Sequence, residues 1–119
     1  MKVKIKSILK SEEEVHIFEG FGIKNKNKIV YFDNNIKTTL VIDDVISLKR
    51  EFDYIISLNF KYLKKIDSYY NTKYGKIFFK TYTKRIVNND KRLEIYYELL
   101  NNDEKIQDFE FILEYTIDT

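Results

Sequence analysis

The sequence contains no cysteine, proline or tryptophan, and it has only three glycines and one histidine. Without cysteine there can be no disulfide framework, thiol nucleophile or thiolate metal site, a composition that suits a reducing cytoplasm. A catalytic system based on a nucleophile and a base would depend on His16 alone, and we expect His16 to be a strand surface residue instead. Three scattered glycines cannot form a phosphate-binding loop. The sequence therefore predicts a non-enzymatic protein that needs no cofactor and no metal.

Long apolar runs are missing as well. No apolar segment of the kind found in signal peptides follows residues 1–6, and none approaches the roughly 20 residues that cross a bilayer. A chain of 119 residues is long enough to form one core and to remove roughly two-thirds of its unfolded surface from water. We expect a single domain over residues 1–119, located in the cytoplasm and without a membrane partner.

The clearest pattern is an alternation of apolar and polar residues near the C-terminal end. Every second position from residue 109 carries an apolar side chain, in the order Phe109, Phe111, Leu113, Tyr115 and Ile117. Residues 93–99 alternate in the same way, and residues 101–105 between the two segments favour a turn. A period of two is typical of a strand with one face in a core and one in water. The two segments are therefore predicted to form an antiparallel hairpin.

The rest of the chain also consists of short strand-like segments with polar turns between them. The predicted strands are residues 2–10, 15–21, 29–33, 38–42, 45–50, 54–60 and 66–71, followed by the longest strand, which starts at Gly75. We expect a bulge at Lys84 and Arg85, where the apolar parity shifts, and a second bulge or a bend at Gly20 and Gly22, where positive φ would be permitted. No segment has the periodicity of a long helix.

These segments predict an all-β protein, a closed antiparallel barrel of about eight to ten strands with no significant helix. A sandwich of two sheets would also fit short strands, but a strand as long as the one after Gly75 must coil, which favours the barrel. The expected core is one contiguous cluster that comprises Phe109, Phe111, Leu113, Tyr115, Leu93, Ile95, Ile77 and Phe79.

The net charge of +2 hides a strong asymmetry. Residues 1–92 carry 20 Lys or Arg against 11 Asp or Glu, whereas residues 93–119 carry 1 against 8, so the two parts differ as +9 and −7. Residues 61–92 hold 10 basic and 2 acidic side chains with interspersed tyrosines, a pattern found in nucleic-acid-binding proteins. We expect Lys80 and Lys84 to lie opposite Glu94 and Glu98, so that cross-strand ion pairs neutralise much of this tract.

Four short motifs, in order along nearly the whole chain, resemble one known family. They are Glu19-Gly20 before the third strand, Thr38-Thr39-Leu40 in the fourth, Thr72-Lys73-Tyr74-Gly75 before the longest strand, and Thr81–Ile86 within it. This order is similar to that of the YwiB-like family of small uncharacterised bacterial proteins. The resemblance implies a calycin-like, that is lipocalin-like, β-barrel, and it implies no activity or site.

Several polar residues lie on strand faces that otherwise look inward. The expected ligand-binding residues are Glu19, Arg50, Tyr70, Thr81, Thr83 and Tyr97, with Thr38 and Ser68 as further inward polar groups. A barrel of this size can enclose a small molecule that a few such groups orient. Alternatively, these groups satisfy one another in a filled core, or the register differs by one residue and they face water.

Arg50 is the most unusual of these residues, because it follows Ile46 and Leu48 on the same parity. A buried guanidinium without a partner is very unfavourable. We therefore expect Arg50 to point into the barrel and to meet Glu19 or the acidic head of a ligand.

Two functions are compatible with these observations. The first is the binding of a small apolar or amphipathic molecule in the barrel. The second is an interaction module whose basic face docks onto RNA or an acidic protein partner. Because we expect the basic tract to be neutralised, any affinity for nucleic acid should be weak and non-specific, about 10⁻⁴ to 10⁻⁶ M at physiological salt.

Overall fold

The computed structural model describes residues 1–118, and their only regular secondary structure is the β-strand. The strands are β1 (Lys2–Ser11), β2 (Val15–Asn25), β3 (Lys28–Asp33), β4 (Ile36–Val41), β5 (Ile46–Glu51), β6 (Ile55–Phe60), β7 (Lys65–Thr72), β8 (Gly75–Asn89), β9 (Arg92–Asn101) and β10 (Glu104–Ile117). No helix in the part of the chain that the structure describes is suited to cross a membrane.

Each strand pairs antiparallel with the next one in sequence, and β1 pairs with β10 to close the sheet into a barrel. The predicted C-terminal hairpin is present, with Leu113 opposite Leu93 and Phe111 opposite Ile95. The expected closed antiparallel barrel is therefore confirmed, and its ten strands lie at the upper end of the expected range.

Residues with positive φ form several of the turns between strands. Asn34 and Asn35 have φ values of 50° and 68°, and Asn102 and Asp103 have values of 51° and 62°. Asn and Asp tolerate this left-handed conformation better than most side chains, and two such residues in succession form the tight turn that suits a hairpin. The predicted turns at these two places are thus confirmed.

The longest strand is β8, with 15 residues, and its pairing with β9 shifts between Thr83 and Arg85. The bulge predicted there is confirmed. The bulge predicted at Gly20 and Gly22 is wrong, because the register of β1 with β2 runs through both glycines without a shift. Gly22 is instead needed because there is no space for a side chain. A Cβ atom there would lie 2.5 Å from Ile5 Cδ1 and 2.7 Å from the Val30 carbonyl oxygen.

The barrel interior is filled by one contiguous cluster of buried side chains. Its most buried large members are Phe60, Ile5, Ile29, Leu40, Ile95, Leu113 and Val3. Six of the eight residues predicted for the core lie in this cluster or pack against it: Leu93, Ile95, Phe109, Phe111, Leu113 and Tyr115.

Two core predictions on β8 are wrong. Ile77 is 57% exposed, and Phe79 is half-buried outside the cluster. The pairing of β8 with β9 begins only at Lys80, opposite Leu100, so residues 75–79 extend past the end of β9. Their alternation is that of a strand, but this part of β8 pairs only with β7, and β9 does not continue beside it.

The expected positions of the ion pairs on β8 are also wrong. Leu100 lies opposite Lys80, and Tyr82 lies opposite Glu98. Lys84 instead approaches Asp108 of the hairpin of β9 and β10, called the acidic hairpin below, with 2.7 Å between Nζ and Oδ1. Lys80 approaches Asp67 of β7, with 3.6 Å between Nζ and Oδ1. The turn that places Asn89 opposite Arg92 sets a register in which Val87 lies opposite Glu94 and Tyr82 opposite Glu98, so neither lysine faces these carboxylates.

Candidate functional site at one end of the barrel

The barrel wall is incomplete between β2 and β3. The ladder of these strands joins only residues 22–25 of β2 to residues 28–31 of β3, although β2 begins at Val15. Three ionisable side chains come together beside this opening in the ladder. They are His16 near the start of β2, Asp33 at the end of β3, and Arg50 near the end of β5.

Asp33 holds the other two side chains through one oxygen. The Nε2 atom of His16 lies 2.7 Å from Asp33 Oδ2, and the Nη2 atom of Arg50 lies 3.5 Å from the same oxygen. The Asp33 side chain is 6% exposed, whereas those of His16 and Arg50 are 45% and 22% exposed. A carboxylate so deeply buried requires partners of this kind, and the two nitrogen donors supply them.

The three side chains border a small cavity that leads towards the core. Its other lining residues are the polar Ser7, Tyr31 and Thr38 and the apolar Leu9, Leu48 and Phe111. The cavity measures about 20 Å³, which is room for about one water molecule. The site thus combines an ionic rim with an apolar floor, and the side chains fill it almost completely.

Tyr31 connects the rim with the interior. Its ring stacks on Phe18 with 5.0 Å between the centroids. Burial raises the pKa of the Tyr31 hydroxyl, and the hydrogen bond with Ser7 and the charge of Arg50 partly oppose this increase. Tyr31 is therefore a neutral hydroxyl at physiological pH, able to donate or accept a hydrogen bond beside the ionic cluster.

A family model described as a domain of unknown function, DUF1934, matches residues 1–113. The chain belongs to the DUF1934 family. The crystal structure of the ywiB protein from Bacillus subtilis has a similar fold, with a TM-score of 0.59 and 16% sequence identity over 98% of this chain and 91% of that chain. The expected likeness to the YwiB-like barrel is thus confirmed. The comparison with curated proteins gives no match.

Three of the predicted ligand-binding residues lie inside this DUF1934 barrel. Thr81 and Thr83 are fully buried on β8, and Tyr97 is buried on β9 opposite Thr83. The Thr81 hydroxyl donates a hydrogen bond to the Asn59 carbonyl oxygen. The Thr83 hydroxyl has no hydrogen-bond partner among residues 1–118. An unsatisfied buried hydroxyl is unfavourable, and it marks the place in the core where a polar group would be best accommodated.

Tyr97 is held between two aromatic rings, with centroid distances of 4.6 Å to Phe60 and 5.3 Å to Phe109. Burial raises the pKa of Tyr97, and the nearby charge of Arg50 partly lowers it.

Glu19 and Tyr70 do not join the cluster around Arg50. Glu19 lies on the outer face of β2, where its carboxylate approaches Lys6 with 3.7 Å between Oε1 and Nζ. Tyr70 on β7 contacts the ring of Tyr54 edge-on, with 5.8 Å between the centroids. The predicted pairing of Arg50 with Glu19 is therefore wrong, and Asp33 takes the place of Glu19.

The error comes from the parity of β2. Val15 and Ile17 share the parity of Glu19 and suggested an inward face, but both are exposed. The inward parity instead contains Gly22, which packs against Ile5, and Phe18, which stacks on Tyr31. Asp33 could have been found from the sequence, because it follows two buried residues, Ile29 and Tyr31, on its own parity.

Proposed function

We propose that the barrel binds a small amphipathic molecule, with an anionic head at Arg50 and an apolar tail directed into the core. The guanidinium at the rim carries the proposal. It has five N–H donors, and its hydrogen bond within residues 1–118 is one contact of 3.5 Å to Asp33. A partly buried guanidinium with unused donors above an apolar floor suits a planar anion such as a carboxylate.

Binding in this proposal requires the site to open. A cavity of about 20 Å³ is far smaller than the roughly 300 Å³ of an ordinary ligand pocket. The short ladder between β2 and β3 provides the place for opening. Residues 15–21 of β2 are not paired with β3, so moving them away from β3 breaks no hydrogen bonds of this ladder. His16 and Arg50 are partly exposed and able to move aside, after which the apolar tail would reach Leu48 and Phe111.

The proposed role is that of a binding protein and not of an enzyme. The Nε2 atom of His16 is engaged with the Asp33 carboxylate. A nucleophilic mechanism would also require the other ring nitrogen of His16 to contact a hydroxyl, and within residues 1–118 that nitrogen forms no hydrogen bond with one. The surroundings of His16 therefore favour a role in holding a ligand.

Titration with decanoate, and with decanol as its uncharged counterpart, tests the proposal. Tyrosine fluorescence should change on binding, because Tyr31 and Tyr97 are next to the proposed path. We expect decanoate to bind and Arg50→Met to weaken its binding by at least about tenfold, since a charge-assisted hydrogen bond contributes about 1.5 to 3 kcal/mol. Glu19→Gln is the matched control and should bind as the unaltered protein does.

Equal binding of decanol and decanoate would contradict the role of Arg50. Failure of both molecules to bind, together with native mass spectrometry that shows only the bare chain after purification, would contradict the proposed function as a whole.

A further inference from the structure

The hairpin of β7 and β8 extends past the end of the neighbouring strand β9. On one side, β7 pairs with β6 only through residues 69–71. On the other side, β8 lacks a ladder with β9 before residue 80, although its ladder with β7 begins at residue 75. The segment of residues 69–79, called the hairpin tip below, therefore extends past the end of β9 and has a neighbouring strand only on the β7 side, where β6 pairs with residues 69–71.

The hairpin tip exposes large apolar and aromatic side chains. Tyr74 at the turn is 88% exposed, and Phe78 on β8 is 66% exposed. Ile77, on the opposite face of the same strand, is exposed as well. The ring of Phe78 lies beside that of Tyr69 across the ladder, with 6.4 Å between the centroids. Single exposed apolar residues are ordinary, but several of them on one hairpin indicate a binding surface.

The surroundings of these rings are basic. Residues 68–89 contain five Lys or Arg and no Asp or Glu. Lys76 Nζ lies 4.6 Å from the centroid of the Tyr69 ring, and Lys73 Nζ lies 5.1 Å from that of Tyr74. Within residues 1–118, neither of these two lysines forms an ion pair.

The acidic residues near the base of the hairpin are already engaged. Asp67 approaches Lys80, and Asp103 approaches Lys65 with 3.2 Å between Oδ1 and Nζ. Ion pairs with the acidic hairpin thus neutralise Lys65 and Lys84. They do not reach Lys73 and Lys76. The reason for expecting little affinity for nucleic acid does not apply at the hairpin tip.

We propose that the hairpin tip binds single-stranded nucleic acid. Bases stack on Tyr74 and Phe78, and the phosphates between them lie near Lys73 and Lys76. Exposed aromatic rings interspersed with lysines are the elements by which small β-folds hold unpaired strands, since every base offers a flat face and every phosphate a charge. Each nucleotide offers a base to a ring and a phosphate to a lysine, so this occupant uses both kinds of side chain, which is why we favour the nucleic acid.

Fluorescence anisotropy with labelled oligouridylate and oligothymidylate of about 12 nucleotides, within the usual site size of small binding folds, tests this inference. We expect micromolar binding, and a loss of at least about fivefold in each of Tyr74→Ala and Phe78→Ala, the lower limit for one stacked base. Tyr74→Phe keeps the ring and should restore binding. Lys76→Gln should weaken binding and reduce the slope of log K against log salt by about 0.7, the value for one contact on a single strand.

Phe32→Ala is the control, because Phe32 is an exposed aromatic residue on β3 and lies outside the hairpin tip. Its binding should equal that of the unaltered protein, and circular dichroism should show that all variants fold. A preference between the two oligonucleotides would identify RNA or DNA as the source of the strand, and equal affinity would mean that bases and phosphates alone are recognised.

Three results would overturn the inference. The first is no binding of either oligonucleotide at low salt. The second is binding that the Tyr74 and Phe78 variants leave unchanged, which would indicate non-specific attraction to charge. The third is equal or tighter binding of polyglutamate or of anionic lipid vesicles, which would assign the hairpin tip to an acidic protein or to a lipid surface.

Discussion

Asp33 is the residue on which the rim of the barrel depends, because a single oxygen atom of its buried carboxylate receives both His16 and Arg50. Removing one partner of such a group leaves the other insufficiently solvated. Asp33 and Arg50 should therefore be coupled energetically, although they come from strands that are not neighbours in the sheet.

We expect Arg50→Met to lower the free energy of unfolding by about 1.5 to 3 kcal/mol, the usual contribution of a hydrogen bond to a charged group. Asp33→Asn should have a comparable effect, and the double variant should cost less than the sum of the two by about 0.5 kcal/mol or more. Urea unfolding of the three variants measures these differences. Glu19→Gln should change stability by less than about 0.5 kcal/mol, and strictly additive effects would mean that Arg50 and Asp33 act independently.

The inward position of Arg50 could be predicted from the sequence, but its partner could not. Ile46 and Leu48 precede Arg50 on one parity, and both are buried. On β2 both parities carry apolar residues, so alternation alone does not identify the face that packs. The deciding fact is that Gly22 fits against Ile5, and this contact belongs to the tertiary structure.

At the scale of the strands, β9 and β10 form a long hairpin, and Asp108 connects it to β8. The Asp108 carboxylate receives Lys105 Nζ at 2.5 Å and Lys84 Nζ at 2.7 Å. Hydrogen bonds from these two lysines hold the pKa of Asp108 below its ordinary value. The hairpin and the bulge of β8 are thus joined by a contact that depends on pH.

We expect Asp108→Asn to be less stable than the unaltered protein by about 1 kcal/mol near neutral pH, because partly exposed ion pairs contribute little each. A carboxyl whose folded pKa is below its unfolded value stabilises fully above about pH 4, and this contribution disappears as the pH falls through the folded pKa. Thermal melts at several pH values should therefore converge in acid. Asp67→Asn, which removes only a 3.6 Å contact with Lys80, should show a smaller difference, and a constant gap at all pH values would contradict this explanation.

Alternation predicted the strands well where both neighbours of a strand continue beside it. This condition holds for β10, which pairs with β1 and β9 along most of its length. It fails for residues 75–79 of β8, where Ile77 has the parity of a core residue but is exposed, because β9 does not continue beside it. The alternation in the sequence predicts that these residues form a strand. It does not predict where the neighbouring strand ends.

At the scale of the whole molecule, stability depends on the cluster that fills the barrel. Phe111 is 3% exposed and belongs to this cluster, whereas Ile77 lies in the hairpin tip. We expect Phe111→Ala to cost about 3 to 5 kcal/mol, because it removes a buried ring and leaves a cavity. Ile77→Ala, the control, should change stability by less than about 0.5 kcal/mol. Urea unfolding measures both, and similar costs for the two variants would contradict this description of the core.

The pairing of β1 with β10 also determines the order of events during synthesis. Val3 and Ile117 are opposite each other in the ladder, so one edge of β1 stays without its partner until nearly the last residue of β10 has left the ribosome. Contacts between such distant parts of a chain form slowly. Throughout that interval β1 presents an open edge with apolar residues on one face, the kind of surface on which newly made chains aggregate. Until β10 pairs with β1, the positive charges of Lys2, Lys4, Lys6 and Lys10 repel the same edge of another newly made chain.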